Sequence, residues 1–315
     1  MTLQQLEYAL AIDTHKHFGK AAEACFVTQA TLSAMIKKLE DELQIMLFDR
    51  RAHPIVTTDA GQEILDEARK ILAHSRLLLE KANSINDQIS GRITVGIIPT
   101  VASSLLPLIL PTLLKNYPSL QIHVKEYKTS TIISKLKSGD LDLAILAPPM
   151  HEEGLDIVHL YYEGLTAYGT IKSLGHNKPI APIQIEGEKI WLLDEGHCLR
   201  TQSLKLCELA LNNSKGLEQL TFEASSFDTL MHMVDSFGGV TFIPELYHNF
   251  LSQEQQEKIY TFQSPKPVRQ IAVVAYRPFA KQRIIKKISN DIQNLVLPKL
   301  KTKQDLGEEI QMIGI

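Results

Sequence analysis

The sequence is short of cysteine, of long apolar runs and of excess positive charge. Three cysteines among 315 residues are too few for the disulfide framework of a secreted domain, so a thiol pair would be reactive, metal-binding or transient. No apolar run reaches the roughly 18 to 20 residues that a membrane helix needs, and the N-terminus lacks the basic head and apolar stretch of a signal peptide. We therefore expect a cytoplasmic protein that has no membrane partner.

The charge balance excludes a protein that binds nucleic acid because its whole surface is strongly basic. The net charge is −3 at neutral pH, so any DNA binding has to rest on a few cations placed on one face. An apolar fraction of 44% and a charged fraction of 22% are ordinary for a folded chain. The length predicts two or more domains.

The first 58 residues predict short helices followed by a small wing. Thr2 and Gln5 form a capping-box pattern at the start of the first helix. Thr28 is a predicted N-cap for a later helix that ends near Leu43, and a turn at residues 26–27 precedes it. The apolar stripe of that later helix is Leu32, Met35 or Ile36, Leu39 and Leu43. Two short extended arms around a polar turn at residues 47–58 predict the wing.

The polar face of this later helix suits a reader of the DNA major groove. Short hydrogen-bonding side chains come first and cations follow, which is the order that a recognition helix needs. In the wing, Arg50 and Arg51 are positioned to face phosphates. The predicted DNA-binding residues are Thr28, Gln29, Thr31, Ser33, Lys37, Arg50 and Arg51. Lys37 and the adjacent Lys38, like the two arginines, also fit a merely solvated face.

Residues 59–90 predict a long linker helix that forms a dimer, ending in a hinge. Apolar residues recur at alternating steps of four and three, which is typical of a coiled-coil seam. The seam consists of Ile64, Ala68, Ile71, Ser75, Leu78, Ala82 and Ile85, of which Ser75 is the polar member.

From Gly91 onward short β-like runs alternate with helices, which predicts an α/β region built on parallel strands. The predicted strands include Ile93–Ile97, residues 121–127, 141–146, 190–193, 220–225, 240–243 and 270–276. We expect two lobes, the first made of residues 91–163 and 267–301 and the second of residues 164–266. The polar tail at residues 302–315 is expected to be loosely ordered.

The N-terminal pattern resembles the LysR-type transcriptional regulators. The match lies in the order and spacing of Phe18, Ala21, Ala22, Thr28, Gln29, Leu32, Ser33, Ile36, Leu39, Glu40, Leu43, Leu47, Phe48, Arg50, Thr58 and Gly61. Residues 238–244, GGVTFIP, also resemble a segment of that family. Thr28 stands where Ser is usual, Ala30 where Pro is common, and Gln44 where a helix-ending Gly is frequent. The last departure predicts a less sharp helix end.

The resemblance implies an α/β protein with an N-terminal winged helix-turn-helix, a long linker helix and a two-lobed regulatory region like a periplasmic binding protein. It further implies a homodimer that assembles to a homotetramer, binds promoter DNA and contacts RNA polymerase. A protein of this kind is a regulator and not an enzyme. A purely structural role for the N-terminal helices is the alternative reading.

Two of the cysteines lie in a segment that suggests redox chemistry. Cys198 follows His197, Arg200 stands two residues later, and Cys207 is the second thiol. A nearby cation lowers the pKa of a thiol, and the thiolate attacks peroxide to give a sulfenic acid that a second thiol captures. The alternatives are two inert buried cysteines or a zinc site made with His197. Cys25, at the end of an Ala-rich helix, is predicted to be a buried small residue.

The spacing of the two thiols carries a mechanical consequence. If the segment between Cys198 and Cys207 is helical, nine steps of about 1.5 Å separate their Cα atoms by roughly 13 Å. A disulfide requires about 4.4 to 6.8 Å. The reduced packing has to unfold locally before the bond can close, so the segment would act as a two-state switch.

This segment resembles the peroxide-sensing members of the LysR family. The resemblance makes Cys198 the peroxidatic cysteine, Cys207 the resolving cysteine, and His197 and Arg200 neighbours that shape the site. Thr100, in IIPTVASSLLP, would orient peroxide, although it could simply cap a helix. Thr129, in EYKTSTIISKL, is a fainter candidate for the same pocket. Arg269 is a weaker candidate too, since one additional residue precedes Tyr276. Thr201 stands where Asp is usual.

These observations predict a sensor of hydrogen peroxide that activates oxidative-stress genes, uses no cofactor or metal, and is reset by a cellular thiol reductant of the glutaredoxin or thioredoxin type. Two alternatives remain. One is a LysR-type regulator that responds to a small organic effector with inert cysteines. The other is a thiol peroxidase or disulfide oxidoreductase in which the N-terminal helices only form the dimer.

Overall fold

A computed structural model describes residues 1–84, 89–149, 152–171, 179–185, 187–208, 224–276, 282–302, 304 and 310–314; the side chains of residues 76, 77, 79–84, 207, 208 and 310 are not described. The described residues form two compact units, one within residues 1–84 and one that begins at residue 89. No helix of the described residues is both long enough and apolar enough to span a bilayer.

The N-terminal unit consists of four helices and a two-stranded wing. Its elements are α1 (Leu3–His15), α2 (Phe18–Ala24), α3 (Gln29–Leu43), β1 (Phe48–Asp49), β2 (Val56–Thr57) and α4 (Asp59–Ser84). The strands β1 and β2 pair antiparallel, with Phe48 opposite Thr57. The apolar stripe of α3 that the sequence predicts is the buried face: Leu32, Ile36 and Leu39 are fully buried.

Side-chain caps fix where these helices begin. Thr2 and Gln5 form the predicted capping box at α1, and the Thr28 hydroxyl accepts a hydrogen bond from Thr31 N at the start of α3. The end of α3 is sharper than predicted. Gln44 takes the left-handed conformation, with φ 55°, that glycine commonly provides at this position, so the chain accepts strain there instead of losing the turn.

Helix α4 contributes to two different surfaces. Leu65, Ala68 and Leu72 are buried in the core of the N-terminal unit. Ile71 and Leu78, which belong to the predicted seam, are 39% and 71% exposed. Ala82 and Ile85 of the predicted seam lie outside the described side chains. One face of α4 therefore packs within its own unit, while Ile71 and Leu78 on the helix leave apolar surface exposed.

The second unit is a mixed α/β structure. Its helices are α5 (Pro99–Asn116), α6 (Thr129–Ser138), α7 (Cys198–Glu208), α8 (Phe227–Phe237), α9 (Gln253–Glu257) and α10 (Gln282–Val296). Its strands are β3 (Gly91–Ile97), β4 (Leu120–Glu126), β5 (Leu143–Leu146), β6 (Leu155–Thr170), β7 (Gly239–Pro244), β8 (Ile259–Tyr260), β9 (Lys266–Tyr276) and β10 (Ile310–Met312). Short 3-10 helices occupy Pro182–Ile185, Glu245–Phe250 and Leu297–Lys299.

The sheet is only partly parallel. Its strand order is β4-β3-β5-β9-β6-β7. β3 pairs parallel with β4 and with β5, as the β-α-β pattern predicts. β9 runs antiparallel to β5 and to β6, and β7 runs antiparallel to β6. The prediction of a parallel sheet was wrong for this half, because β6 and β9 are long strands that continue from one lobe into the other.

The second lobe has a separate apolar core formed by residues from β6, α7, α8, β7 and the segments between them. Trp191 and Leu193 are buried there. Residues 190–193 form only isolated bridges, through Ile190 and Leu193. The predicted strand at 220–225 lies largely outside the described residues, apart from the bridge at Ala224.

The C-terminal tail is more ordered than predicted. β10 pairs parallel with the start of β9, and Ile310 lies opposite Lys266. Ile313 is buried, at 6% exposure. Two side chains of α7 also hold the tail, because Gln202 Nε2 donates to Ile313 O at 3.0 Å and Lys205 Nζ donates to Gly314 O at 3.2 Å. The expectation of a loose tail fails because residues 310–314 complete the sheet and contact α7.

Candidate functional site

The first residue of α7 is Cys198, and its thiol lies in the interior at 4% exposure. Three other elements contribute polar groups to the surroundings of this thiol. Thr100 comes from the start of α5, Thr129 from the start of α6, and Arg269 from β9. The fold thus brings together three of the residues that the sequence predicts for a peroxide pocket, although they are far apart along the chain.

Arg269 is the central cation of the site. It is completely buried, and its guanidinium donates to Thr100 Oγ1 at 3.1 Å and to Thr100 O at 2.9 Å. Its charge is balanced by Glu163, since Arg269 Nε donates to Glu163 Oε1 at 2.9 Å. β6 and β9 hold the pair in register, with Glu163 directly opposite Arg269. A buried arginine needs such a partner, because removing one member of the pair leaves an uncompensated charge.

The sequence predicts a lowered thiol pKa, and the structure corrects this. Burial raises the pKa of Cys198 above its usual value, because a thiolate loses its hydration there. The charge of Arg269 and the nearby Thr100 and Thr129 hydroxyls lower it, but they offset only part of the effect of burial. The resting thiol is therefore mostly protonated, and the pocket stabilises a thiolate that forms only as a minor species.

Two polar atoms beside this site lack a well-formed hydrogen bond to any described group. They are Thr129 Oγ1 and Gln202 Oε1, and both are buried. Gln202 is one helical turn after Cys198 and is 1% exposed. Spacing of four residues places Gln202 and Cys198 on one face of α7. Buried polar atoms without partners are costly, so each of these oxygens is suited to accept a hydrogen bond from a small polar molecule.

His197 is buried next to Cys198 and faces a carboxylate. Its Nε2 lies 2.9 Å from Asp194 Oδ1. Burial lowers the pKa of His197, Asp194 acts in the opposite direction, and the net pKa stays below the usual value. His197 is thus neutral at physiological pH, and it does not supply the cation that the sequence predicts for the thiol.

The described contact of Arg200 is with the backbone. Its Nη1 donates to Leu193 O at 2.8 Å, which fastens the loop before α7. The cation that lowers the thiol pKa is instead Arg269. Arg200 is close to Cys198 in sequence, but its guanidinium is used to hold the loop.

Cys207 lies on the same helix as Cys198, since α7 spans Cys198–Glu208. Nine residues of α-helix separate two Cα atoms by about 13 Å, which is beyond the roughly 4.4 to 6.8 Å of a disulfide. The Cys207 side chain lies outside the described residues. Cys25 is a free thiol at the end of α2, and burial together with the charge of Glu7 raises its pKa. The described residues contain no cluster of three His, Cys, Asp or Glu suited to a metal.

Sequence reasoning did not identify Glu163, Asp194 and Lys128, which pair with residues of the site, or Gln202, which lies on α7 one turn after Cys198. Gln202 could have been found from its spacing of four residues from Cys198 in a helix. Glu163 carried no local signal, because it lies 106 residues from Arg269 along the chain. Lys128 and Asp194 are 66 residues apart, and neither belongs to a motif.

The N-terminal unit presents the candidate DNA-reading surface. Gln29, Thr31 and Lys37 are exposed on α3, Ser33 is half-buried, and Thr28 caps the helix. These side chains form the face opposite the buried stripe of Leu32, Ile36 and Leu39. The arrangement leaves hydrogen-bonding groups at the N-terminal half of α3 and cations further along.

Arg50 and Arg51 differ in their surroundings. Arg50 Nη2 donates to Glu40 Oε2 at 2.6 Å, and its guanidinium lies 5.2 Å from the ring centre of Phe18. Glu40 also accepts hydrogen bonds from Leu47 N and Phe48 N. Arg50 therefore ties the wing to α3, whereas the Arg51 side chain is exposed and remains the better candidate for a phosphate.

Two protein families account for most of the chain. The family described as "Bacterial regulatory helix-turn-helix protein, lysR family" matches residues 3–62, and the "LysR substrate binding domain" family matches residues 86–283. The helix-turn-helix surface and the two-lobed region are thus those of a LysR-type DNA-binding regulator. The chain belongs to the LysR family.

Two relatives and one solved structure show which members of the family this chain is similar to. The chain is 34% identical over 302 residues to the "Hydrogen peroxide-inducible genes activator" of Haemophilus influenzae, which covers 94% of this chain and 99% of that relative. It is 36% identical over 280 residues to the "DNA-binding transcriptional dual regulator OxyR" of Escherichia coli, covering 88% and 90%. A full-length OxyR variant from Pseudomonas aeruginosa superposes with a TM-score of 0.78 at 28% identity, covering 97% and 99%.

Proposed function

We propose that this protein is a transcriptional activator that senses hydrogen peroxide by joining Cys198 to Cys207 in a reversible disulfide. The observation that carries the proposal is the buried Cys198 thiol, which is surrounded by the charge of Arg269 and by the hydroxyls of Thr100 and Thr129. Relatives named as hydrogen peroxide-inducible genes activators support the same reading. The output is regulation of DNA, and the protein is not an enzyme in the usual sense because each peroxide leaves a disulfide behind.

The first step is oxidation of Cys198. The thiolate attacks one oxygen of hydrogen peroxide, an S–O bond forms and the O–O bond breaks, and the leaving hydroxide takes a proton to become water. The thiol's own proton is available for that hydroxide. Arg269, through Thr100, favours the negative charge that develops, and the unpartnered oxygens of Thr129 and Gln202 accept hydrogen bonds from the peroxide O–H groups.

The second step closes the disulfide. The Cys207 thiolate attacks the sulfur of the sulfenic acid, an S–S bond forms and the S–O bond breaks, and the leaving hydroxide takes up the proton that the Cys207 thiol gave up and departs as water. Because both cysteines belong to α7, this helix has to unwind before the sulfur atoms meet. The chemical event is thereby coupled to a change of shape in the second lobe. A thiol reductant of the glutaredoxin or thioredoxin type resets the sensor by thiol–disulfide exchange, which returns Cys198 and Cys207 to thiols and oxidises the reductant.

The shape change is transmitted to DNA through dimers. In this proposal residues 1–58 bind promoter DNA, and residues 59–90 form the dimer through the seam that includes the exposed Ile71 and Leu78. The regulatory lobes, 91–163 with 267–301 and 164–266, join dimers into a homotetramer. Oxidation changes the spacing of the DNA-binding units so that RNA polymerase is contacted. Thr28, Gln29, Thr31, Ser33, Lys37 and Arg51 contact DNA, with Arg50 supporting the wing.

Peptide mass mapping after a short pulse of near-stoichiometric peroxide tests the proposal. We expect a Cys198–Cys207 disulfide in the wild type, a trappable sulfenic acid at Cys198 in Cys207→Ser, and no oxidation at either position in Cys198→Ser. Cys25→Ser is the matched control and should behave as wild type. If both thiols stayed free while a small metabolite raised the thermal stability, the protein would instead be a LysR-type regulator with an organic effector.

A further inference from the structure

A lysine that no motif predicts holds the loop in front of Cys198. Lys128 is the residue immediately before α6, and its Nζ donates to Asp194 Oδ2 at 2.6 Å and to Glu195 O at 2.6 Å. Asp194 and Glu195 belong to the loop that leads into α7. One side chain from the first lobe therefore makes two charge-assisted hydrogen bonds to the segment that positions His197 and Cys198.

The alkyl part of Lys128 is fitted to the same loop. Gly196 has φ +88°, and a Cβ atom at this position would lie 2.9 Å from Lys128 Cδ. Glycine suits position 196 because of this backbone conformation, and a side chain there would displace the lysine from its path. The ammonium group and the methylene chain of Lys128 together cover three consecutive residues, from Asp194 to Gly196.

Lys128 and His197 share one carboxylate. Lys128 binds Asp194 Oδ2, while His197 Nε2 lies near Asp194 Oδ1. Burial opposes the charge on Asp194, but the hydrogen bond from Lys128, the interaction with His197 and the charge of Lys128 together outweigh it and lower the pKa of Asp194. For His197, burial lowers the pKa, Asp194 raises it, and Lys128 lowers it again. These are the two charged groups that act on His197, one from its own loop and one from the start of α6.

We propose that Lys128 is a positioning residue for peroxide sensing: it docks the Cys198 loop against α6 and pairs with Asp194, the carboxylate that His197 faces. This inference rests on the proposed function. Without the lysine, Asp194 has only His197 to balance its charge, and a histidine beside an unpaired carboxylate takes up a proton more readily. Sensing then acquires a dependence on pH that the native chain avoids.

The test compares Lys128→Met with Lys128→Arg in the full-length protein. Methionine keeps most of the apolar stem and removes the charge, whereas arginine keeps the charge and should restore most of the native behaviour. Lys125→Met, at an exposed position on β4, controls for the loss of one positive charge nearby. The readouts are the rate of sulfenic acid formation at Cys198 between pH 5.5 and 8.5, in the Cys207→Ser background, and the His197 imidazole titration followed by NMR.

We expect Lys128→Met to slow sulfenic acid formation about three- to tenfold at pH 8, the size expected for losing a charge-assisted hydrogen bond. We also expect its His197 titration to move upward, with a matching inflection in the rate profile that the wild type lacks. If Lys128→Met titrated and reacted like wild type, the inference would be overturned. If the wild type itself formed no sulfenic acid, the proposed function would fail instead, so the two failures are distinct.

Discussion

Unwinding of α7 costs free energy, and two substitutions at one exposed position can change that cost. Alanine raises it and glycine lowers it. Thr201 is an exposed residue in the interior of α7, and no packing explains its presence. Alanine at this position favours the helix, and glycine disfavours it by about 1 kcal/mol relative to alanine. If the disulfide requires an unwound α7, this difference changes the population of the unwound form about fivefold.

Two measurements follow from this reasoning. Thr201→Gly should close the disulfide about fivefold faster than Thr201→Ala, while both form sulfenic acid at Cys198 at the same rate. The disulfide of the glycine variant should also be harder to reduce, with a redox potential lower by about 20 mV, because 30 mV corresponds to about 1.4 kcal/mol for two electrons. Rapid-quench trapping of the sulfenic acid and equilibration in glutathione buffers give the two quantities.

The matched control is Asn290, an exposed interior residue of α10. Asn290→Gly and Asn290→Ala should differ in the free energy of unfolding by a similar amount but leave the closure rate and the potential unchanged. Equal closure rates for the two Thr201 variants would refute the claim that α7 has to unwind. A difference confined to sulfenic acid formation would show that Thr201 acts on the first step.

Three further predictions concern stability and DNA binding. Gln44→Gly should raise the free energy of unfolding by about 0.5 to 1 kcal/mol in urea titrations, because glycine adopts φ 55° without strain. An unchanged free energy of unfolding would mean that the hydrogen bond from Gln44 to Asp41 O compensates for the strain. Burial lowers the pKa of His248 to about 4, whereas the usual value near 6.5 applies when the chain is unfolded. Because the unfolded state takes up the proton first, stability is lost as the pH falls from 6.5 towards 4. Unfolding at pH 7 and pH 5 should therefore differ by about 2 kcal/mol more in the wild type than in His248→Gln, and an equal difference would contradict this origin. Arg51→Ala should weaken promoter binding and reduce its salt dependence without changing stability. Arg50→Ala should destabilise the N-terminal unit by about 1 to 3 kcal/mol through loss of its bond to Glu40. Fluorescence anisotropy measures the first effect and thermal unfolding the second, and the reverse pattern would exchange the roles of the two arginines.

The sequence predicts best what is determined locally. The cap at Thr28 and the stripe of Leu32, Ile36 and Leu39 depend on residues within one or two helical turns, and the structure confirms both. The surroundings of Cys198 depend on contacts between distant segments, and they were predicted only in part. Arg200 was expected at the thiol because it is near in sequence, whereas the lowering charge comes from Arg269.

Burial is the physical quantity that the sequence pattern could not supply. A cation two residues from Cys198 predicts a lowered thiol pKa, but complete burial reverses the direction. The same limitation applies to Glu163, whose role is visible only once β6 and β9 are in register. The polar composition of the tail predicted a loose segment. Its pairing depends on the start of β9, where the free edge of the strand accepts β10.

The position of β10 makes the firmness of the sensor helix depend on a strand that carries no reactive residue. β10 pairs with β9, and Ile313 O accepts a hydrogen bond from Gln202 of α7. A chain that lacked residues 310–314 would keep its thiols and its DNA-reading helix but would hold α7 less firmly, and so would be prone to oxidise without a signal.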